Sequence, residues 1–415
     1  MHIAALVKQV VSTDDMDAHG RRAVAQAVEL AAAVGDGLCT VINVGATSGD
    51  GVVREAIAWG SACSVMTDGV TVTDRAFADA DPVTIGRALA ATVAKEGPYD
   101  LVLVGARSSD LGSGFTGPVI AEVLDLPFLG PARFLSMQGH VLHVRTEREH
   151  GFRQSTVGLP AVISCGLDLI EPCEMPHGVR ATVPADLIHA LTAGDLGTAS
   201  RAPSARAKVS AHDAPDETRG APSEPLPSAR TSTRLPILVV ANLDEPSIVR
   251  EMLGAASSVA RAVNGHVVVM TPDDPDVATL GSWGADTVVA LRGARVEEDV
   301  AHGVSEWCDV AKPWAVLGPA TYWGREVLGR TAVRLGASPI ANAIELTVVD
   351  ARLVARTRTD EGATATMTSS SGIHVVTVRD GAFVPPEPRS VDAALETAVV
   401  RPRGRVRVVS RRARS

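Results

Sequence analysis

An α/β fold of two tandem related units, each a mainly parallel, helix-covered sheet with a short antiparallel extension, is predicted by three observations. Strand-like and helix-like segments alternate along the chain, the alternation occurs twice in the same order, and aromatic residues make up only 3% of the sequence. Alternation over short connections implies parallel strands joined by right-handed crossovers. A repeated order implies related units. With so few aromatics, the cores must be built from Ala, Val, Leu and Ile, which suits a sheet buried on both faces.

The first unit opens with an apolar β run, Ile3 to Val7, followed by a helical pattern around Arg22 to Ala33. After the Gly35-Asp36-Gly37 break comes a second β run, Cys39 to Val44, then a short helix from Val52 to Trp59 and a strand from Ser64 to Met66. A helix from Pro82 to Lys95, a strand from Leu101 to Val104 ending in glycine, and a helix from about Gly117 to Leu124 complete the alternation. In the second unit, strand Ile237 to Ala241 leads to helix Ser247 to Val263, strand Val267 to Met270 and a short helix near Ala278. Strand Thr287 to Leu291, helix Val296 to Cys308, strand Ala315 to Leu317 and a helix near Arg325 to Leu335 follow.

Local text repeats as well. Trp59-Gly60 answers Trp283-Gly284, and the segment from Tyr99 parallels the one from Pro313. Each unit then leaves the alternation for β segments joined through a polar turn: HVLHVRTEREHG with LPAVISCGL, and RLVARTRTDEG with IHVVTVRDGAF. The expected organisation is a first domain over 1–192, a flexible linker over 193–233, a second domain over 234–390 and a basic tail over 391–415. The linker reading rests on its Ala, Ser, Pro and charged content without apolar period. The tail carries seven arginines from Arg401 to Arg414 and reads as a solvated segment.

Composition excludes several classes. A formal net charge of −9 argues against a general nucleic-acid binder. No window approaches the length of apolar residues that spans a bilayer, and the first residues enter a β run without a signal-peptide pattern. The five cysteines, Cys39, Cys63, Cys165, Cys173 and Cys308, form no C-x-x-C pair, which suits a reducing compartment; a cytoplasmic location is expected. His140, His143 and His150 lie in a polar β segment without metal-ligand spacing. Ser164-Cys165-Gly166 has no base placed by sequence, so hydrolysis is not expected.

One loop carries chemistry. Gly105-Ala106-Arg107-Ser108-Ser109-Asp110-Leu111-Gly112-Ser113-Gly114-Phe115-Thr116-Gly117 leaves the carboxyl end of a strand and opens a helix. Ligands sit at that place in an open parallel sheet. The helix amino terminus offers N–H groups to an anion, glycines allow close approach, and Ser108, Ser113 and Thr116 add hydroxyls. It is neither a Walker loop nor a dinucleotide fingerprint. A bound nucleotide phosphate is the expectation. The matching loop, Gly318 to Gly324, is shorter and carries Pro319, Tyr322 and Trp323, so it should be filled by side chains, leaving the second unit a scaffold.

The first unit, from Met1 to about Ala193, resembles the β subunit of electron transfer flavoproteins in LVKQV, REAIAWGSACSVMTD and GARSSDLGSGFTGP. The second, from about Leu235 to Pro388, is similar to the amino-terminal domain of that family's α subunit, most tellingly in TVRDGAF. The resemblance implies an adenine nucleotide α hydrolase-like fold and AMP at the glycine loop. Cofactor contacts are expected at Leu6, Lys8, Gly105, Ser108, Asp110, Gly112, Gly114, Thr116 and Gly117. The loop departs from the family pattern at Ala106, Arg107, Gly112 and Phe115. The stretch from Leu167, matching the family's docking loop, keeps Glu171-Pro172 but lacks the usual Arg-Tyr and lysine-rich ending.

In that family most FAD contacts come from a carboxyl-terminal domain with a Gly-Ile-Ser-Gly turn, and here the chain ends soon after Phe383. FAD is therefore expected only jointly with a partner chain, a flavin-bearing protein or domain in a dehydrogenase or demethylase-type redox complex. The alternative is a non-redox structural or regulatory nucleotide-binding subunit of a larger oxidoreductase complex.

Overall fold

The computed structural model describes residues 1–10, 15–78, 80–108, 112–169, 183–200, 234–358, 364–369 and 371–413. The expected linker from 201 onward and the stretch around Glu171-Pro172 lie outside the described residues.

The first unit contains β1 (His2–Val7), α1 (Ala18–Val34), β2 (Leu38–Gly45), α2 (Asp50–Ala62), β3 (Met66–Thr73), α3 (Pro82–Glu96), β4 (Leu101–Gly105) and α4 (Thr116–Val123). It continues through β5 (Phe128–Gln138), β6 (Val141–Arg148), β7 (Gly151–Gly158), β8 (Ala161–Cys165) and β9 (Ile188–Leu191). The second contains β10 (Leu235–Val240), α5 (Pro246–Ala262), β11 (Gly265–Thr271), α6 (Val277–Ser282), β12 (Thr287–Arg292), α7 (Glu297–Ala311), β13 (Ala315–Pro319) and α8 (Tyr322–Leu335). After it come β14 (Ile340–Val349), β15 (Arg352–Arg358), β16 (Thr364–Thr368), β17 (His374–Val378), β18 (Ala394–Val399) and β19 (Val406–Ala413).

The two sheets match strand for strand. One runs β19-β7-β6-β5-β8-β4-β1-β2-β3-β9 and the other β16-β15-β14-β17-β13-β10-β11-β12-β18. Removing β19 leaves the same nine-position order in each. Ile3 stands opposite Leu101 as Ile237 stands opposite Ala315, and register shifts fall at Ala132/Phe134 and Ala343/Glu345. Parallel strands fill each centre because their residues are apolar on both faces: β1 buries Ile3, Ala4 and Ala5 completely, and β10 buries Ile237 to Val240. The antiparallel extensions alternate buried and exposed residues, the pattern of a half-covered sheet.

One difference from the expected elements falls among the parallel strands: the strand expected at Ser64 to Met66 begins only at Met66 and continues through the polar text TDGVTVT to Thr73, with Ser64 at φ 60° in the turn before it. The extensions hold three antiparallel strands each, including β5, β7, β14 and β16. Segment 391–415, expected as a solvated basic tail, instead supplies β18 to the second sheet and β19 to the first. β19 pairs antiparallel with β7, from Val406 opposite Val157 to Ala413 opposite Gly151. Arg403 and Arg405 are not solvent-directed charges either. Both reach Asp125 of the first unit and Glu298 of the second.

The units meet through α4 and α8. Val83, Phe115 and Val119 share one apolar core with Trp323, Val327 and Leu328. Fully buried Arg330 lies 3.0 Å from Glu122 and 3.6 Å from Glu326, and Arg334 lies 2.7 Å from Glu122. Arg148 and Arg153 of the β6–β7 hairpin reach Glu297 at 3.0 and 2.8 Å. Cys39, Cys165 and Cys308 are buried free thiols; burial pushes each above its ordinary value, Cys39 up to about 12.

Candidate functional site

The first sheet changes direction at β1. From there β2 and β3 build outward on one side and β4 and β8 on the other. The crevice outside the carboxyl ends of β1 and β4 is the switch point where open α/β sheets take ligands. It is flanked by the loop after β1, which includes Lys8, and by the loop from Gly105 to Phe115.

Packing explains the glycines of that loop. A Cβ on Gly105 would lie 2.8 Å from His19 Cβ in α1, and one on Gly117 would lie 2.6 Å from Phe128 Cε2. Gly112 and Gly114 adopt φ of 58° and 68°, the left-handed region that favours glycine. The N–H of Gly112 donates to the Ser108 carbonyl at 3.0 Å, closing the turn. A Cβ on Gly114 would meet Arg325 Cδ of the second unit at 2.9 Å. These glycines therefore serve a protein interface as well as any ligand. Phe115 is completely buried at the join, against the α8 residue Gly329.

Of the remaining expected contacts, Leu6 is 3% exposed and its side chain belongs to a core with Ile42, Val44 and Val72, so only its main chain faces the crevice. Lys8 is half-buried just past β1, and its carbonyl accepts the Asp17 N–H at 2.9 Å. Ser108 and Thr116 are half-buried on either side of the turn. Asp110 lies outside the described residues.

Four neighbours were missed by reading the sequence alone. Buried Asn43, at the carboxyl end of β2, donates from Nδ2 to the Val7 carbonyl at 3.2 Å. Its polarity inside an apolar β run was a usable signal. His19 Nδ1 lies 3.4 Å from the Cys165 carbonyl, beside Gly105. Arg325 Nη2 donates to Asn342 Oδ1 at 2.9 Å, and Asn342 Nδ2 donates to the Gly112 carbonyl at 3.4 Å. No local pattern points to those two, because they reach the loop from the other unit.

The two helix amino termini differ in what caps them. α4 begins after Phe115 in helical conformation, with no side-chain hydrogen bond at its cap. Arg107 and Arg325 stand close by, Arg107 with its guanidinium 5.8 Å from the Tyr322 ring. This is a setting that favours an anion. At α8, Thr321 Oγ1 accepts the Gly324 N–H at 3.2 Å and Glu149 Oε1, from the β6–β7 hairpin, accepts the Tyr322 N–H at 2.5 Å. A carboxylate from the first unit thus occupies the anion position of the second. The residues present at α4 fit a phosphate; those at α8 already hold a carboxylate.

No group of three or more His, Cys, Asp or Glu side chains suited to a metal occurs among the described residues. No helix among them is long and apolar enough to cross a membrane.

Known proteins place these features. A family model described as electron transfer flavoprotein domain matches residues 9–216 and 238–402, one stretch in each unit. The electron transfer flavoprotein subunit beta of Thermoanaerobacterium thermosaccharolyticum is 31% identical over 166 residues, 40% of this chain and 59% of that protein. The subunit beta of Clostridium acetobutylicum is 30% identical over 133 residues, 32% and 49% of the two chains. The acryloyl-CoA reductase electron transfer subunit gamma of Anaerotignum propionicum is 27% identical over 163 residues, 39% and 57%. The chain therefore spans about half the length of the curated relatives it matches.

Proposed function

Because the chain belongs to the electron transfer flavoprotein family, we propose that it is the AMP-bearing scaffold of an electron-transfer unit. In this reading it fuses the family's β subunit to the amino-terminal domain of its α subunit, and a partner chain supplies the FAD site. The observation that carries the reading is the contrast between the two helix amino termini. α4 has no side-chain cap, and the side chains of Arg107 and Arg325 pass beside Gly114 in the loop before it, whereas α8 is closed by Glu149.

AMP at the loop after β4 would place its phosphate against the Thr116 and Gly117 end of α4, with the hydroxyls of Ser113 and Thr116 as donors. AMP has no redox chemistry of its own. It satisfies N–H groups and positive charge at the join between units, and so stiffens the surface on which a flavin-bearing partner sits. The flavin supplies the electron chemistry. The relatives' names, electron transfer flavoprotein subunit beta and acryloyl-CoA reductase electron transfer subunit gamma, support a redox complex as the setting, and the cysteine pattern supports the cytoplasm.

The test is to purify the chain with its native partners, denature part of the sample, and identify the released small molecules by mass spectrometry. The expected result is one AMP per chain, flavin absorption only in the complex, and bleaching of that absorption on reduction. Flavin occupancy that never depends on this chain would overturn the redox role. AMP without flavin in the complex would favour the non-redox alternative.

A further inference from the structure

The second unit has its own crevice, at the carboxyl ends of β10, β11 and β12, and it encloses a cavity of about 320 Å³. Asp244 and Glu245 line it from the loop after β10, Phe152 and Trp323 form apolar walls, and Arg411 and Arg412 of β19 stand exposed at its edge. The cavity is in the volume range of small-molecule sites, where apolar walls and a few convergent polar groups are the rule.

Glu245 is the anomaly. It is 9% exposed, it begins α5 without capping any N–H, and its carboxyl has no hydrogen bond or ion pair among the described residues. Its charged neighbours make matters worse. Burial first, and then the carboxylates of Glu149, Asp380 and Asp244, push its carboxyl up to about 7. The two buried arginines of the lining do not help, because Arg148 and Arg153 are both committed to Glu297. A carboxyl in such surroundings either holds a proton or gains a cation. The cavity beside it has room for the cation.

We propose that this cavity binds a small molecule with a guanidinium or primary ammonium head at Glu245 and an anionic end at Arg411 and Arg412. Trp323 suits the head, since a cation over an aromatic face is attracted by the ring; Phe152, which already carries the guanidiniums of Arg133 and Arg145, serves as an apolar wall alone. A phosphate cannot take the usual place at α8, because Glu149 holds it. A metal ion is a poor fit, since no cluster of suitable ligands occurs around Glu245 among the described residues. The site is separate from the loop after β4 and does not depend on a nucleotide there.

Titration calorimetry of the full chain tests the assignment, with L-arginine as probe and agmatine as the same guanidinium without the carboxylate. L-Arginine is expected to bind one per chain and more tightly than agmatine. Glu245→Gln weakens both at least tenfold, and the Arg411→Ala, Arg412→Ala double variant weakens L-arginine alone. The melting temperature keeps a folding failure distinguishable: free Glu245→Gln melts no lower than the parent, and L-arginine raises the melting temperature of the parent only. No heat at millimolar L-arginine, or equal binding by Glu245→Gln, overturns the site. Agmatine binding as tightly as L-arginine overturns the anionic end.

Discussion

The two units share a sheet and differ in one loop. Between β4 and α4 lie the ten residues from 106 to 115, with left-handed glycines and no side-chain cap; between β13 and α8 lie only Ala320 and Thr321, with Glu149 bound over the helix end. The strand order, the Ile3 and Ile237 registers and the bulge positions are common to both. The lesson is that the two units keep one frame, while a short insertion leaves one helix end without a side-chain cap and a carboxylate sent across from the other unit closes the second.

That contrast depends on the units staying locked in one arrangement, so the largest expected effect comes from the lock. Glu297→Ala strands Arg148 and Arg153 without a buried counter-charge and is expected to cost about 3–5 kcal/mol in chemical denaturation. Phe115→Ala empties the apolar join beneath Gly329 and is expected to cost about 3 kcal/mol. Both variants should also lower nucleotide retention, since the loop's far side rests on the second unit.

Smaller changes separate the two helix ends. Gly114→Ala forces an L side chain into the left-handed region against Arg325 and should cost about 1–2 kcal/mol. Glu149→Ala removes the carboxylate over α8 and should cost about 1 kcal/mol, the scale of a lost cap. Millimolar sulfate should recover part of that loss in the variant and leave the parent's melting temperature unchanged. No recovery would mean that α8 is not an anion site in waiting.

At Glu326 the contrast is read from the pH dependence of stability rather than from one buffer. Burial and neighbouring Glu297 raise the Glu326 carboxyl against the pull of Arg330. A raised acid stabilises the folded state below its ordinary range, and that contribution is lost as pH rises. Glu297 has the opposite sign: burial alone would raise it, but Arg153 and Arg148 outweigh burial and hold it down. Its contribution is present above the ordinary glutamate range and is lost as pH falls. Glu326→Gln should therefore flatten the decline of stability between the ordinary glutamate range and about pH 8, and leave the acid limb in place. A parent profile without that decline counts against a raised Glu326.

Sequence reading recovered the central strands and helices because parallel strands buried on both faces leave continuous apolar runs such as Ile3 to Val7. It lost β7 (GFRQSTVG), β16 (TATMT) and β19 because half-exposed or edge strands carry polar residues that mimic loops. At the site, the glycines and hydroxyls of the β4–α4 loop were visible, and the shorter loop was expected to be filled by its own proline and aromatic side chains. The agent that fills it came from elsewhere: Glu149 lies 173 residues from Tyr322 in sequence. Arg325 and Asn342 were hidden for the same reason. A pattern confined to a window cannot report a side chain delivered by another sheet.

The return of β19 to the first sheet changes what residues 201–233 are for. Pairing with β7, together with Arg403 and Arg405 on Asp125 and Glu298, makes the far end of the chain a direct grip of the second unit on the first. A protease cut anywhere in that stretch should yield two fragments that still co-elute and still melt as one. The peptide connection then matters for birth rather than upkeep: it ensures that the halves emerge in equal number and meet at once.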